Sequence, residues 1–140
     1  MPDAARDGPM PAPRSGSNAH PGEKLLGKHV LIVEDEALVA MDLQFAFEDA
    51  GAEVLGPAMS LGDALAIAEH AAQIDCALLD VDIAGHDVYP VAKMLQDRGT
   101  PFIFHTAHGS GLAHGEMFPG TITCLKPTLP ETLIDLLAGL

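Results

Sequence analysis

Positive charge is scarce in this 140-residue sequence: seven Lys and Arg stand against 20 Asp and Glu, a formal net charge of -13. Residues 1–24 hold Asp3, Asp7 and Glu23 against Arg6, Arg14 and Lys24, so the whole deficit falls on residues 25–140. A surface of that sign repels phosphate backbones and anionic lipid, which argues against nucleic-acid or membrane-surface binding. Cysteine is nearly absent too. Cys76 and Cys124 both lie inside apolar, strand-like runs with no short metal-binding spacing between them, so they are expected to act as small hydrophobes in a reduced, cytoplasmic protein. No apolar run approaches the roughly 20 residues that span a bilayer. The N-terminus also lacks the apolar core of a signal peptide.

What is present divides into a leader and one domain. Residues 1–24 are dense in Pro, Gly, Ala and Ser, with Pro9, Pro11 and Pro13 alternating. Such a composition buries too little apolar surface to offset its ordering entropy, so a disordered tail is expected, followed by a single domain over 25–140. Within that domain apolar runs of strand length alternate with stretches of helical periodicity. His29–Val33 runs into Glu34, Asp35 and Glu36. The following helix is read with Leu38, Met41 and Phe45 on one face and Val39, Leu43, Ala46 and Ala50 beside them, stopping at Gly51. A second strand spans about 53–58. Ser60 with Asp63 resembles a capping box before Leu61, Ala64, Leu65 and Ala68.

The central stretch, Asp75 to Asp87, reads as a buried parallel strand that delivers Asp80 to its carboxyl end. A turn-prone piece, Val81 to Gly85, follows, with Asp87 capping a helix marked by Val88, Val91, Ala92 and Leu95 and closed by Arg98 and Gly99. Pro101–Thr106 forms a fourth strand. Residues 107–118, with Gly109, Gly111 and Gly115, make a poor fourth helix and are expected to be a mobile loop. Thr121–Leu125 is a fifth strand, and Thr128 with Glu131 opens a last helix striped by Leu129, Leu133, Leu136, Leu137 and Leu140. This is an α/β pattern: a doubly wound, five-stranded parallel sheet of flavodoxin-like order 2-1-3-4-5, covered on both faces.

Ligands of such sheets collect at the carboxyl edge. That edge receives Glu34 with Asp35, Asp80, Thr106 and Lys126. Crowded carboxylates cannot all stay ionised unless a cation neutralises them, and a hard, oxygen-seeking Mg²⁺ fits the set. A lysine and a threonine hydroxyl opposite can hold phosphoryl oxygens, and a central aspartate can then act as nucleophile to form an aspartyl phosphate.

With these residues in hand, the sequence resembles the receiver domains of two-component response regulators, of the CheY-like kind. The acidic pair Glu34 and Asp35, Asp80 ending the third strand, Thr106 ending the fourth and Lys126-Pro127 ending the fifth match that family in order and spacing across roughly residues 28–140. The resemblance implies that Asp80 is the phosphoacceptor and that Mg²⁺ is held by Glu34, Asp35, Asp80 and the backbone carbonyl of Asp82. It implies that Lys126 pairs with the phosphoryl group and that Thr106 moves toward it on activation. It implies a signalling protein, not an enzyme: a stand-alone receiver with no output domain after Leu140, which relays or drains phosphoryl groups or feeds back on its kinase.

Two departures refine the resemblance. Thr123, three residues before Lys126, stands where most receivers carry an aromatic switch residue. The segment P-F-I-F-H-T-A-H-G is similar to a variant of an alphaproteobacterial single-domain class whose fourth strand ends in F-A-T-G-hydrophobic-Y; Phe104 and Thr106 keep that motif, while Ala107 and Gly109 depart from it. The resemblance implies as partners sensor histidine kinases of the HWE and HisKA2 type, with a histidine phosphotransfer protein as a further class.

Other readings of the same residues exist. Asp80-Val81-Asp82 matches the D-x-D signature of haloacid dehalogenase phosphatases, but Ala84 stands where Thr or Val is expected and the acidic pair precedes the lysine. A pseudo-receiver that binds a partner without phosphorylation would carry the same residues. Glu36 suits a solvated first-turn position favoured by the helix dipole. His86, His105, His108 and His114 lack the spacing of helical zinc sites and read as polar loop residues, although His105 and His108 flank Thr106 and would suit a pH-sensitive loop.

Overall fold

The structure, a computed structural model, describes residues 23–107 and 116–140. Its sheet is built from β1 (His29–Val33), β2 (Glu53–Ala58), β3 (Cys76–Leu79), β6 (Phe102–Thr106) and β7 (Thr123–Leu125). The strands lie in the order β2-β1-β3-β6-β7, every neighbouring pair parallel. Four helices cover it among the described residues: α1 (Ala37–Asp49), α2 (Leu61–His70), α3 (Tyr89–Arg98) and α4 (Pro130–Ala138). This is the flavodoxin-like, CheY-like α/β architecture expected from the pattern. The expected leader over 1–24 lies almost wholly outside the described residues, as does most of the weak fourth helix. Lys24 already pairs with Asp135 on α4, and Leu25 is fully buried. None of the described helices is long and apolar enough to cross a membrane.

Strand alternation sorts the core into two layers. Leu31, Val33, Ala77, Leu79 and Phe104 pack with Ala64 and Ala68 of α2 and Val91 and Leu95 of α3. Val30, Ile32, Leu78 and Ile103 pack on the other face with Leu43 and Phe47 of α1 and Leu133 and Leu137 of α4. Each fully buried Leu, Ile or Phe contributes roughly 1.5–3 kcal/mol by leaving water. Cys76 belongs to this core, and burial pushes its thiol up to about 11, so it behaves as an inert hydrophobe.

Several local expectations are corrected. In α1 the buried residues are Ala40, Leu43 and Phe47, whereas Leu38, Met41 and Phe45 are 82%, 49% and 56% exposed. Both triplets have helical spacing, and an offset of two residues is a rotation of about 200°, so they mark opposite faces of a helix that is apolar on both. The periodicity could not choose between them. On α4 the buried stripe is Leu133, Ile134 and Leu137; Leu129 and Leu140 are exposed. Thr128 does not cap that helix: its hydroxyl donates to the Leu125 carbonyl, and Leu129 is the N-cap, with Pro130 supplying the first-turn φ.

Other caps behave as read. The Ser60 hydroxyl accepts from the Asp63 amide at 3.1 Å, and Gly99 closes α3 in the left-handed conformation. Gly51, at φ 95°, follows α1, and a Cβ there would lie 2.8 Å from the Leu26 Cα, so the close approach of the N-terminal segment requires glycine. Arg98 does more than end α3, because its guanidinium donates to the carbonyls of Ala68 and Ala71 and so satisfies the C-terminus of α2.

Candidate functional site

Register brings the site together. Val33 of β1 faces Leu79 of β3, Leu79 faces Phe104 of β6, and Thr106 faces Leu125 of β7. The residues that follow these strands therefore meet at one edge, and the backbone continues the ladder there. The Asp80 amide donates to the Val33 carbonyl at 2.9 Å, and the Lys126 amide to the Thr106 carbonyl at 2.8 Å. Glu34, Asp80 and Thr106 are buried, Asp35 and Lys126 half-buried.

The side chains converge on one cation. Lys126 Nζ lies 2.9 Å from Asp80 Oδ2, 2.8 Å from Glu34 Oε1 and 3.8 Å from Glu36 Oε1. Burial pushes the Asp80 carboxyl above its ordinary range, opposed by the hydrogen bond and charge of Lys126 and the amide of Asp82. Glu34 is raised for the same first reason and opposed by the same lysine. Burial pulls the Lys126 ammonium down, but hydrogen bonds and charge from Glu34 and Asp80 outweigh that and leave it raised. One ammonium is thus shared by two buried carboxylates, with a third beside them. Glu34, Asp35 and Asp80 each present an oxygen within 4.8 Å of the others. Such a donor set of hard oxygens, short of positive charge, fits a divalent cation of the Mg²⁺ type.

The piece after Asp80 is more ordered than a turn-prone loop. Asp82–Ile83 (β4) and His86–Asp87 (β5) form a small antiparallel hairpin, with Ala84 at φ 52° and Gly85 at φ 88°, both left-handed as a two-residue primed turn requires. Asp87 is therefore a strand residue and not the cap of α3, whose N-cap is Val88. The hairpin grips the acidic corner. The Ala84 amide donates to Asp35 Oδ2 at 2.8 Å, and the Asp82 amide donates to Asp80 Oδ1 at 3.2 Å. The carboxylate of Asp82 accepts from the Gly85 amide at 3.0 Å. Glu36 is the N-cap of α1, exposed, and its amide donates to Glu34 Oε2 at 3.0 Å.

Ala84 was not legible as a site residue, since its contribution is a backbone N–H; the weak Ala-Gly turn was the only signal. The histidines do not form a metal cluster among the described residues. His86 is exposed in the hairpin, His108 and His114 lie outside the described residues, and His105 is not a loop residue but a buried one in β6. Thr123 is an exposed residue of β7.

The chain is similar to known proteins in sequence and in fold. Residues 30–137 match the response regulator receiver domain family. The phyllosphere-induced regulator PhyR of Methylorubrum extorquens is 31% identical over 110 residues, covering 77% of this chain and 41% of that protein. The crystal structure of the response regulator PhyR from Brucella abortus superposes with a TM-score of 0.69 at 32% identity, over 81% of this chain and 47% of that one. A response regulator receiver protein from Sinorhizobium medicae shares the fold at a TM-score of 0.69 and 23% identity, over 80% and 94% of the two chains. The chain thus spans less than half the length of the PhyR proteins it resembles.

Proposed function

The chain belongs to the response regulator receiver domain family, a family of signalling modules and not of enzymes, and we propose that it accepts a phosphoryl group on Asp80 from a histidine kinase. The single observation that carries this reading is the shared contact of Lys126 Nζ with Asp80 and Glu34 at a buried, carboxylate-rich strand edge.

In this reading an oxygen of the Asp80 carboxylate attacks the phosphorus of a phosphohistidine or small acyl phosphate. The new P–O bond forms as the bond to the leaving nitrogen or oxygen breaks, and the donor departs with that electron pair. Lys126 is already within hydrogen-bond distance of the nucleophile, so its ammonium can follow the charge onto the phosphoryl oxygens. Thr106, at the end of the neighbouring strand, offers a hydroxyl to another of them. Asp80 is 6% exposed, so its carboxylate is largely withdrawn from bulk water before it reacts. Glu34, Asp35, Asp80 and the backbone carbonyl of Asp82 would hold Mg²⁺, which when bound supplies the positive charge that three acidic groups and a phosphoryl group together lack.

Partner docking has its own support. Leu38, Met41 and Phe45 form an exposed apolar stripe that begins three residues after Asp35, and such a patch beside a reactive group suits a protein surface that must bring its phosphohistidine close. Sensor kinases of the HWE and HisKA2 type, or a histidine phosphotransfer protein, are the partners this reading assigns, in a cytoplasmic setting. Incubation with acetyl phosphate and Mg²⁺ should give a hydroxylamine-labile phosphoprotein, and Asp80→Asn should give none.

A further inference from the structure

Among the described residues, Ala84 is the only one other than glycine with a positive φ, 52°. A Cβ in that conformation crowds its own backbone, and such strain persists only where the surroundings dictate it. Here they do so from both ends of the hairpin. Ile83 is fully buried, and the amide of buried Val88 donates to the Val81 carbonyl at 2.9 Å, so the β4–β5 strands are anchored on the core. At the tip the Gly85 amide donates to Asp82 Oδ1 at 3.0 Å, and the Ala84 amide reaches across the chain to Asp35 Oδ2 at 2.8 Å.

That last bond decides how Asp35 is held. The ion pairs of Lys126 go to Glu34, Glu36 and Asp80, which leaves the Ala84 N–H as the group that fixes the Asp35 carboxylate among the described residues. A carboxylate with one oxygen engaged presents the other in a defined direction. Asp35 also has an oxygen within 4.8 Å of oxygens of Glu34 and Asp80.

We propose that Ala84 is a positioning residue for the divalent cation: its backbone N–H, held out by the left-handed turn, fixes the Asp35 carboxylate so that the cation meets Glu34, Asp35 and Asp80 already arranged. The proposal rests on the reading of those three residues as a cation site. Ligands fixed in advance spare the cation the cost of ordering them, so affinity depends on the turn. Coupling of this kind is reciprocal. A cation that binds better when the bond is made must strengthen the bond in turn, and the exposed tip from Ala84 to Asp87 is then firmer when the site is filled.

The experiment combines amide hydrogen exchange, read by nuclear magnetic resonance on the full chain, with calorimetric titration of Mg²⁺. Gly85 is the lever. A Cβ there would meet nothing within 4 Å, yet its φ of 88° is one that a β-branched residue avoids and asparagine tolerates. Gly85→Val should therefore speed exchange at the Ala84 amide and weaken Mg²⁺ binding about tenfold, whereas Gly85→Asn should stay near the parent in both. Without metal, the Ala84 amide should exchange about fivefold faster in Asp35→Ala than in Asp35→Asn, since both are neutral and only the second keeps an acceptor oxygen. In the parent, Mg²⁺ should slow that exchange. Equal exchange in the two Asp35 variants, parental Mg²⁺ affinity in Gly85→Val, or weaker binding there without faster exchange at Ala84 would overturn the proposal. If Gly85→Val does not fold, the Asp35 pair and the effect of Mg²⁺ on the parent decide. A parent that binds no Mg²⁺ overturns the cation reading as well; a parent and a Gly85→Val that bind it equally overturn this proposal alone.

Discussion

Lys126 Nζ sits 2.9 Å from Asp80 Oδ2 while staying 2.8 Å from Glu34 Oε1, so a single ammonium serves two buried carboxylates. The lysine is held there by the register of β6 and β7, which sets its backbone amide on the Thr106 carbonyl. Removing it leaves two acidic groups out of water with no compensating charge. Lys126→Met should lower metal-free stability by about 3–5 kcal/mol, the cost of breaking a buried pair from one side. Urea unfolding of the two proteins in chelator checks this; equal midpoints would mean that the ammonium is not the compensating charge.

Asp80→Asn should act in the opposite direction. With Asp80 neutral, Lys126 pairs with Glu34 alone and one desolvated charge disappears, so metal-free stability should rise by about 1–2 kcal/mol even as phosphoryl acceptance is lost. The sign with pH follows from the raised pKa values of Asp80 and Glu34. The native state holds these protons more tightly than the unfolded chain, so their contribution is present at low pH and is lost as pH rises through and above the ordinary carboxylate range. Asp80→Asn should flatten that decline. A variant less stable than the parent at every pH would contradict it.

Divalent cation binding should appear as stabilisation by mass action, about 1.4 kcal/mol for each tenfold excess of Mg²⁺ over its dissociation constant. The oxygens of Glu34, Asp35 and Asp80 lie within 4.8 Å of one another, so Asp35→Asn should abolish most of the effect. Melting curves with Mg²⁺ and with chelator make the comparison. A rise in Tm that persists in Asp35→Asn would assign the ion to another place.

His105 should make the protein acid-labile. Its folded pKa of about 4 lies below the ordinary imidazole value of 6.5, so between those values the unfolded chain binds the extra proton and stability falls as pH falls. His105→Leu should remove that slope. Unfolding free energies of the two proteins at pH 7 and pH 5 test it, and parallel losses in both would place the acid lability elsewhere.

How far the sequence carried these conclusions depended on which rule decided each element. The strand ends and the residues that follow them were legible because continuous apolar runs, parallel order and the residue types at the edge agree, and so Glu34, Asp35, Asp80, Thr106 and Lys126 could be placed at one edge without coordinates. The face of α1 was not legible, because Leu38-Met41-Phe45 and Ala40-Leu43-Phe47 have the same spacing and tertiary packing alone selects the second. The hairpin that grips Asp35 escaped because its contribution comes through the Ala84 backbone N–H, and Ala-Gly is a weaker primed-turn signal than Asn-Gly. His105 was read by its polarity, whereas its place in β6 beneath α1 determined its burial.

The most direct test of the central claim is to map the phosphoryl group. After treatment with acetyl phosphate, peptide mass spectrometry should find the phosphoryl increment on the peptide containing Asp80, present with Mg²⁺, absent with chelator and removed by hydroxylamine. A chain that stays unmodified with Mg²⁺ present, or an increment that persists in Asp80→Asn, would contradict the account.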